Sequence, residues 1–151
     1  MRNEGVNSST ACMLLNGTDG VHPAWDVQMA SSDATHVIIN HGINDQWDDD
    51  LSAYRSCLTS LASTAKSRGK QVIFETPNPI DGGNLAPYVT AMKEVAAQQQ
   101  IPVIDQYQYL TGYLNGQSVS TICPDGVHPS ASVYIMKGQF AAAEFMEMFP
   151  E

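Results

Sequence analysis

Near the end of the chain a histidine follows an aspartate by three positions. Asp125 and His128 lie in residues 124–129, a stretch that also contains two prolines and a glycine. In a turn of this spacing the carboxylate can reach Nδ1 of the imidazole and leave Nε2 facing a cleft, as a base in acyl transfer requires. The alternative is an Asp-Gly turn that carries an incidental surface histidine, and the spacing alone favours that alternative.

A second set of polar groups follows the β-branched run at residues 37–39. The run leads into Gly42, Asn44 and Asp45. This pattern predicts a buried strand followed by a loop that carries an amide and a carboxylate. Active sites of α/β proteins lie in loops at this end of the strands. Asn44 suits an oxyanion because a neutral amide stabilises developing charge without titrating, although it could also bond local backbone. We expect Asp45 to hold the loop through backbone N–H groups.

Three other positions are candidates for the same cleft. His41 stands beside Gly42 and is predicted to contact substrate, although a packed histidine fits equally well. Asn78 is a second predicted substrate contact, in the proline-rich loop after the next strand. His22 belongs to residues 19–23, which repeat the five residue types of 125–129. We interpret that repeat as shared turn chemistry, with Asp19 capping a helix, in preference to a second Asp–His pair.

Helical and strand periodicities alternate along the chain, which predicts one α/β domain over residues 1–151 with a parallel sheet. Three aspartates at 48–50 are expected to open the longest helix, since carboxylates complement the helix dipole there, and Ser130 is a predicted N-cap. The predicted strands are 3–7, 36–40, 71–75 and 102–105, and the predicted helices are 10–16, 23–30, 48–67, 86–99 and 130–149, with a helix or turn at 106–114.

Composition narrows the classes of function. A net charge of −9 with only 7 Lys and Arg argues against a nucleic-acid partner, because clustered cations supply most of that affinity. No apolar run reaches the roughly 20 residues of a membrane span, and residues 1–4 do not resemble a signal peptide. We expect a soluble protein, either cytoplasmic or secreted after removal of a leader. The three cysteines are expected to be free thiols, with a Cys12–Cys123 disulfide as the alternative.

The segments at residues 42–45 and 125–128 resemble motifs of the SGNH or GDSL-type esterases and lipases. The third block of that family, Gly-x-Asn-Asp, is matched by residues 42–45, and the fifth, Asp-x-x-His, by residues 125–128. The second block resembles residues 3–11, with Ser8 at a position where the family usually has glycine. The resemblance implies a three-layer α/β/α, flavodoxin-like fold, and it implies no metal and no organic cofactor.

The same resemblance implies a role for each residue. His128 is the expected base and Asp125 its orienter, while the Asn44 amide and the backbone N–H of Ser8 are the expected oxyanion donors. The first family block, Gly-Asp-Ser on the first strand, does not occur in the sequence. Ser8 and Ser9 are therefore the candidates for a substitute nucleophile.

A missing first strand would leave a gap inside the sheet, with unpaired edge groups. We expect the gap to be filled by residues 3–7 pairing with residues 36–40, or by a segment of another subunit in a homo-oligomer or a partner.

The preferred interpretation is an esterase acting on a short-chain acyl ester or an acetylated carbohydrate. The alternative is a non-catalytic carbohydrate-binding or assembly domain that keeps a relic of the cleft. A flavodoxin-like nucleotide or flavin binder is a weaker alternative, because no glycine-rich phosphate loop follows an early strand.

Overall fold

The computed structural model describes residues 1–150 and contains three strands, seven α-helices and one short 3₁₀ helix within them. Most predicted elements are confirmed to within one or two residues at each end. In chain order they are α1 (Ala11–Asn16), α2 (Trp25–Ser31), β1 (His36–Ile39), α3 (Asp45–Asp48), α4 (Leu51–Ser67), β2 (Gln71–Glu75), α5 (Leu85–Gln99), β3 (Val103–Ile104), α6 (Gln106–Leu114), the 3₁₀ helix (Val119–Thr121) and α7 (Ala131–Met148).

The strands form a parallel sheet in the order β1-β2-β3. His36 is in register with Gln71, and Phe74 with Val103. Parallel neighbours need crossover helices that cover the two faces of the sheet. Helices lie on both faces here, so the expected α/β/α fold is confirmed, although the sheet is short.

One face of the sheet carries the larger apolar core. Val72 and Phe74 of β2 pack with buried side chains of α4 and α5, and α1 and α2 extend this layer. Trp25 is 6% exposed, and its indole N–H donates to the Leu61 carbonyl at 2.9 Å. This core fixes the carboxyl ends of β1 and β2, from which the candidate loops emerge.

Helix α7 lies on the other face and buries little of its apolar surface. Val133 is its buried residue, whereas Tyr134, Ile135 and Met146 are exposed. Its last turn nevertheless contacts the start of β1, since the His36 ring lies 5.3 Å from that of Phe145 and 4.7 Å from that of Phe149. Helix α7 therefore extends from β3, which it contacts, to the start of β1.

The β1 strand pairs with β2 alone among the described residues, so its other edge is open. The prediction that residues 3–7 form a strand paired with β1 is wrong. Those residues carry no strand structure, and two asparagines and a glycine among the five make them poor strand formers. The chain there instead forms a turn, in which the Ser9 N–H donates to the Val6 carbonyl at 3.3 Å.

Two predicted caps are confirmed. Asp50 accepts from the Ala53 N–H at 2.8 Å at the start of α4, and Ser130 accepts from the Val133 N–H at 3.4 Å at the start of α7. The helix that follows the aspartates, α4, was predicted to be the longest. That prediction is wrong, because α4 has 17 residues and α7 has 18. Asp48 belongs to the separate short helix α3, which was not predicted.

The expectation of free thiols is confirmed for Cys123 and wrong for Cys12 and Cys57, and the alternative Cys12–Cys123 disulfide is also wrong. Cys12 on α1 and Cys57 on α4 form a disulfide with a Cα–Cα separation of 5.2 Å, whereas Cys123 is a buried free thiol. The two bonded cysteines face each other because α1 packs side by side with α4. Spacing along the sequence carries no information about this contact between helices.

We predict that reducing the Cys12–Cys57 bond lowers the free energy of unfolding. Its sequence separation of 45 corresponds to a loop-closure contribution of about 4 kcal/mol. Urea unfolding with and without reductant measures the change. The Cys57→Ser variant is the control, because reductant should cause no further loss in it. An unfolding midpoint of the original protein that is unchanged by reductant would contradict the prediction.

Candidate active site

Residues 8–11 are held against the loop that follows β1 by two adjacent side chains. The Asn44 Nδ2 donates to the Ser9 carbonyl at 3.0 Å, and the Ala11 N–H donates to Asp45 Oδ1 at 2.8 Å. The segment predicted to supply oxyanion donors thus lies beside the Gly-Ile-Asn-Asp loop. An amide nitrogen carries two hydrogens, so Asn44 keeps a second N–H beyond its bond to Ser9.

The Asp45 side chain accepts a hydrogen bond from a backbone N–H group, as predicted. The side chain is fully buried, and this burial raises its pKa to about 6 against the opposing effect of the Ala11 N–H. Its Oδ2 is buried without a hydrogen-bond partner among residues 1–150. A buried carboxylate fixed by the first N–H of α1 orders the start of that helix.

Ser8 adopts a backbone conformation that usually requires glycine. Its φ is 59°, in the left-handed region, and the residue is exposed. A side chain in this region costs about 1 kcal/mol relative to glycine. The family position matched by Ser8 is usually glycine, so the conformation agrees with that matching. The roles of Ser8 as an oxyanion donor or as a nucleophile stay predictions.

Asp125 and His128 form a paired turn. Oδ1 of Asp125 accepts from the backbone N–H groups of His128 at 2.7 Å and Val127 at 2.9 Å, while Oδ2 accepts from His128 Nδ1 at 2.7 Å. The backbone and side-chain bonds from His128 hold the pKa of Asp125 well below its usual range. The pair fixes the proton on Nδ1 and leaves Nε2 as the free acceptor. The His128 side chain is 74% exposed, so solvent reaches it.

The loop that carries this pair is anchored to the loop after β2. Asn78 is 3% exposed, and its Nδ2 donates to the carbonyls of Pro79 and Val127, both at 3.1 Å. Its Oδ1 accepts from Lys137 Nζ at 3.2 Å, and the Asp81 N–H donates to the Gly126 carbonyl at 2.7 Å. These bonds make Asn78 a positioning residue for the Asp125–His128 turn, and its predicted contact with substrate stays a prediction.

Gly42 permits a close approach of chain segments. Its φ is +142°, and a Cβ added there would lie 3.2 Å from the Tyr54 hydroxyl and 3.3 Å from Cγ of Pro77. The same hydroxyl donates to the His41 carbonyl at 2.9 Å. Gly42 therefore allows the loop after β1 to pack between α4 and the loop after β2.

His41 is half-buried and lies next to Ser9, with its Nε2 3.5 Å from the Ser9 Oγ. Burial lowers the pKa of His41 to about 4, so the ring is neutral near pH 7. Sequence reasoning placed His41 in the cleft but did not identify its contact with Ser9, because residues 9 and 41 are far apart in sequence.

The second Asp–His pair also exists. Asp19 accepts from the backbone N–H groups of His22 at 2.7 Å and Val21 at 2.9 Å, and from His22 Nδ1 at 2.8 Å. The predicted turn capped by Asp19 before α2 is confirmed, with Ala24 as the N-cap of the helix itself, whereas the preference for this turn over a second Asp–His pair is wrong because both occur. Bonds from the His22 backbone lower the pKa of Asp19 to about 2, and the bond to Asp19 raises the pKa of His22.

The described residues thus form two polar groups at the loops that follow β1 and β2. One contains Ser8, Ser9, His41 and Asn44, and the other contains Asn78, Asp125 and His128. The loops meet where the Asn84 N–H donates to Gln46 Oε1 at 2.7 Å. No group of three or more His, Cys, Asp or Glu side chains within residues 1–150 is arranged to hold a metal ion.

Comparisons with known proteins identify the family and the fold of the chain. The sequence model of the GDSL-like Lipase/Acylhydrolase family matches residues 2–134. A search of curated proteins gives no match. No helix in residues 1–150 is long and apolar enough to cross a membrane.

Several solved structures have the same fold. Axe2, an acetylxylan esterase from Geobacillus stearothermophilus, has a TM-score of 0.71 and 22% identity, over 99% of this chain and 71% of that one. A lipase/acylhydrolase from Enterococcus faecalis has a TM-score of 0.69 and 21% identity, over 93% and 72%. The enzyme LAE5, from the metagenome of Lake Arreo, has a TM-score of 0.64 and 21% identity, over 93% and 67%. The chain belongs to the GDSL-like lipase/acylhydrolase family.

Proposed function

We propose that this protein hydrolyses carboxylic esters of the acetylated-carbohydrate class. The observation that carries the proposal is the Asp125–His128 pair, in which Nδ1 is bound to the carboxylate at 2.7 Å while the ring remains exposed. Family membership supports ester hydrolysis as the reaction class. The likeness in fold to an acetylxylan esterase suggests an acetylated sugar as the substrate.

In the proposed mechanism His128 Nε2 takes the proton of the attacking water, and Asp125 stabilises the imidazolium that forms. The second N–H of Asn44 and the backbone N–H of Ser8 donate to the oxyanion of the tetrahedral intermediate. The bond from Asn44 to Ser9 supports this assignment, because it joins the segments that carry the two proposed donors. Asn78 keeps the His128 loop in place, and His41 contributes to the wall of the cleft.

One observation favours a second candidate function. The 151 residues contain no Gly-Asp-Ser motif, which favours loss of the family nucleophile. A chain that keeps the cleft and lacks a nucleophile would bind an acetylated carbohydrate without cleaving it. Loss of the nucleophile from such a site typically costs about 10⁶ in turnover.

A hydrolysis assay with 4-nitrophenyl acetate and acetylated xylo-oligosaccharides tests the proposal. We expect His128→Ala to lower kcat/KM by roughly 10²- to 10⁴-fold because the general base is lost. We expect Asn44→Ala to lower kcat by roughly 10²- to 10³-fold because an oxyanion donor is lost.

His36→Ala is the matched control, since this histidine lies at the opposite end of β1 and should leave the rate unchanged. A rate that His128→Ala leaves unaltered would remove the proposed mechanism. Binding of the oligosaccharides by the original protein without turnover would support the second candidate function.

We also propose that a second copy of this chain covers the open edge of β1. Unpaired strand edges promote pairing with another chain, and α7 presents Tyr134, Ile135 and Met146 to solvent. The contacts of His36 with Phe145 and Phe149 connect this apolar surface to β1. A segment from a different partner is the alternative occupant.

Light scattering coupled to size-exclusion chromatography tests this assembly, and we expect the mass of two chains. Ile135→Lys should shift the population toward one chain, because a buried ammonium group is costly at an interface. Val27→Lys replaces an exposed apolar residue of α2 and should leave the mass unchanged. The mass of a single chain for the original protein would contradict the homo-oligomer.

A further inference from the structure

Ser9 and His41 form a serine–histidine pair apart from the Asp125–His128 turn. The Ser9 Oγ lies 3.5 Å from His41 Nε2, and it donates to the Val6 carbonyl at 2.8 Å. A hydroxyl hydrogen rotates about the C–O bond. The hydrogen can therefore turn from the Val6 carbonyl to the imidazole without displacement of the oxygen.

The backbone around Ser9 is held from several directions. Ser8 precedes it at a φ of 59°, and the Asn44 amide donates to the carbonyl of Ser9 itself at 3.0 Å. Thr10 follows as the N-cap of α1, where its side chain accepts from the Met13 N–H at 3.2 Å. Such constraint positions a nucleophile without a loss of conformational freedom during the reaction.

His41 is neutral and can accept a proton at Nε2. Tyr54 fixes its carbonyl, and the buried Nδ1 has no hydrogen-bond partner among residues 1–150. Burial lowers the pKa of the ring and keeps it neutral, whereas the charge of Asp19 acts in the opposite direction.

A cavity of about 370 Å³ lies against the same segment. It is lined by residues 3–7 together with Val21 and His22. Val6, whose carbonyl accepts the Ser9 hydroxyl, is among the lining residues. The cavity offers room for part of a small ester beside the segment that leads into Ser9, and the side chains of Asn3 and Asn7 are suited to sugar hydroxyls.

We propose that Ser9 is the nucleophile of this chain and that His41 accepts its proton, an inference that rests on the proposed ester hydrolysis. Ser9 Oγ bonds to the acyl carbon while its proton passes to His41 Nε2. The ester C–O bond then breaks, and the departing alcohol takes that proton. Water, deprotonated by the imidazole of His128, attacks the acyl-serine and releases the carboxylic acid, and the proton returns to Ser9.

Covalent labelling with diisopropyl fluorophosphate tests the assignment independently of ester turnover. The reagent forms an O–P bond to an activated serine and releases fluoride. We expect a single adduct on Ser9, located by tandem mass spectrometry, that is absent from Ser9→Ala. His41→Gln should slow labelling by roughly 10²- to 10⁴-fold because the base is lost. Ser31→Ala on α2 is the matched control and should label as the original protein does.

Labelling and hydrolysis distinguish failure of the Ser9 assignment from failure of the proposed ester hydrolysis. An adduct on another serine, or none, overturns the assignment of Ser9 whatever the hydrolysis assay gives. Labelling of Ser9 that depends on His41, in a protein that hydrolyses no ester, supports the Ser9–His41 pair and overturns the proposed function. Circular dichroism melting of each variant shows whether a loss of labelling reflects unfolding.

The pH dependence of labelling identifies the base. Only neutral His41 can accept the proton, so the labelling rate should rise with pH through a midpoint of about 4 and then stay level. A midpoint near 6.5, the ordinary value for histidine, would assign the base to another imidazole and overturn the part played by His41.

Discussion

The buried carboxylate of Asp45 is the interaction on which the candidate site depends. It accepts the Ala11 N–H while Asn44 donates to the Ser9 carbonyl, so adjacent residues hold the start of α1 against the end of β1. Burial raises the pKa of Asp45 to about 6, above the 3.8 of an exposed aspartate. The folded state therefore binds the proton more tightly than the unfolded chain does. By this linkage Asp45 disfavours folding increasingly as pH rises from about 4 to about 6, so the site is maintained at a cost in stability.

The apolar core makes that cost tolerable, because it fixes the strands from which the loops emerge. Val72 and Phe74 anchor β2 against α4 and α5, and the loop after β2 then carries Asn78 at a fixed place. Asn78 in turn bonds the Val127 carbonyl and orders the turn of Asp125 and His128. Three loops from different parts of the chain thus converge on one edge of a parallel sheet, as α/β topology requires.

Strands and helix caps could be predicted from the sequence, because they depend on local patterns of residues. Residues 71–75 form β2 as expected, and Ser130 caps α7, because a short apolar run and a capping side chain are properties of neighbouring residues. Contacts between distant segments were missed. The Cys12–Cys57 bond requires that α1 pack on α4, and the proximity of Ser9 to His41 requires that residues 8–11 fold back over the end of β1. Neither contact produces a spacing signal. The prediction that residues 3–7 pair with β1 was wrong because these residues have a low strand propensity, and the open edge of β1 does not compensate for it.

Residues 19–23 and 125–129 show why a short motif does not define a site by itself. Both make the same turn, with Nδ1 of each histidine bound to its aspartate at 2.7 to 2.8 Å. Their surroundings differ, since the Asp19 and His22 side chains are 1% and 14% exposed, against 59% and 74% for Asp125 and His128. The buried turn places a persistent negative charge in the interior, where it acts on His41. The exposed turn gains little stability from its ion pair because solvent screens it, and its effect is to fix the tautomer of an imidazole that solvent can reach. Identical local chemistry thus places a charged pair in the interior in one case and an accessible imidazole at the surface in the other.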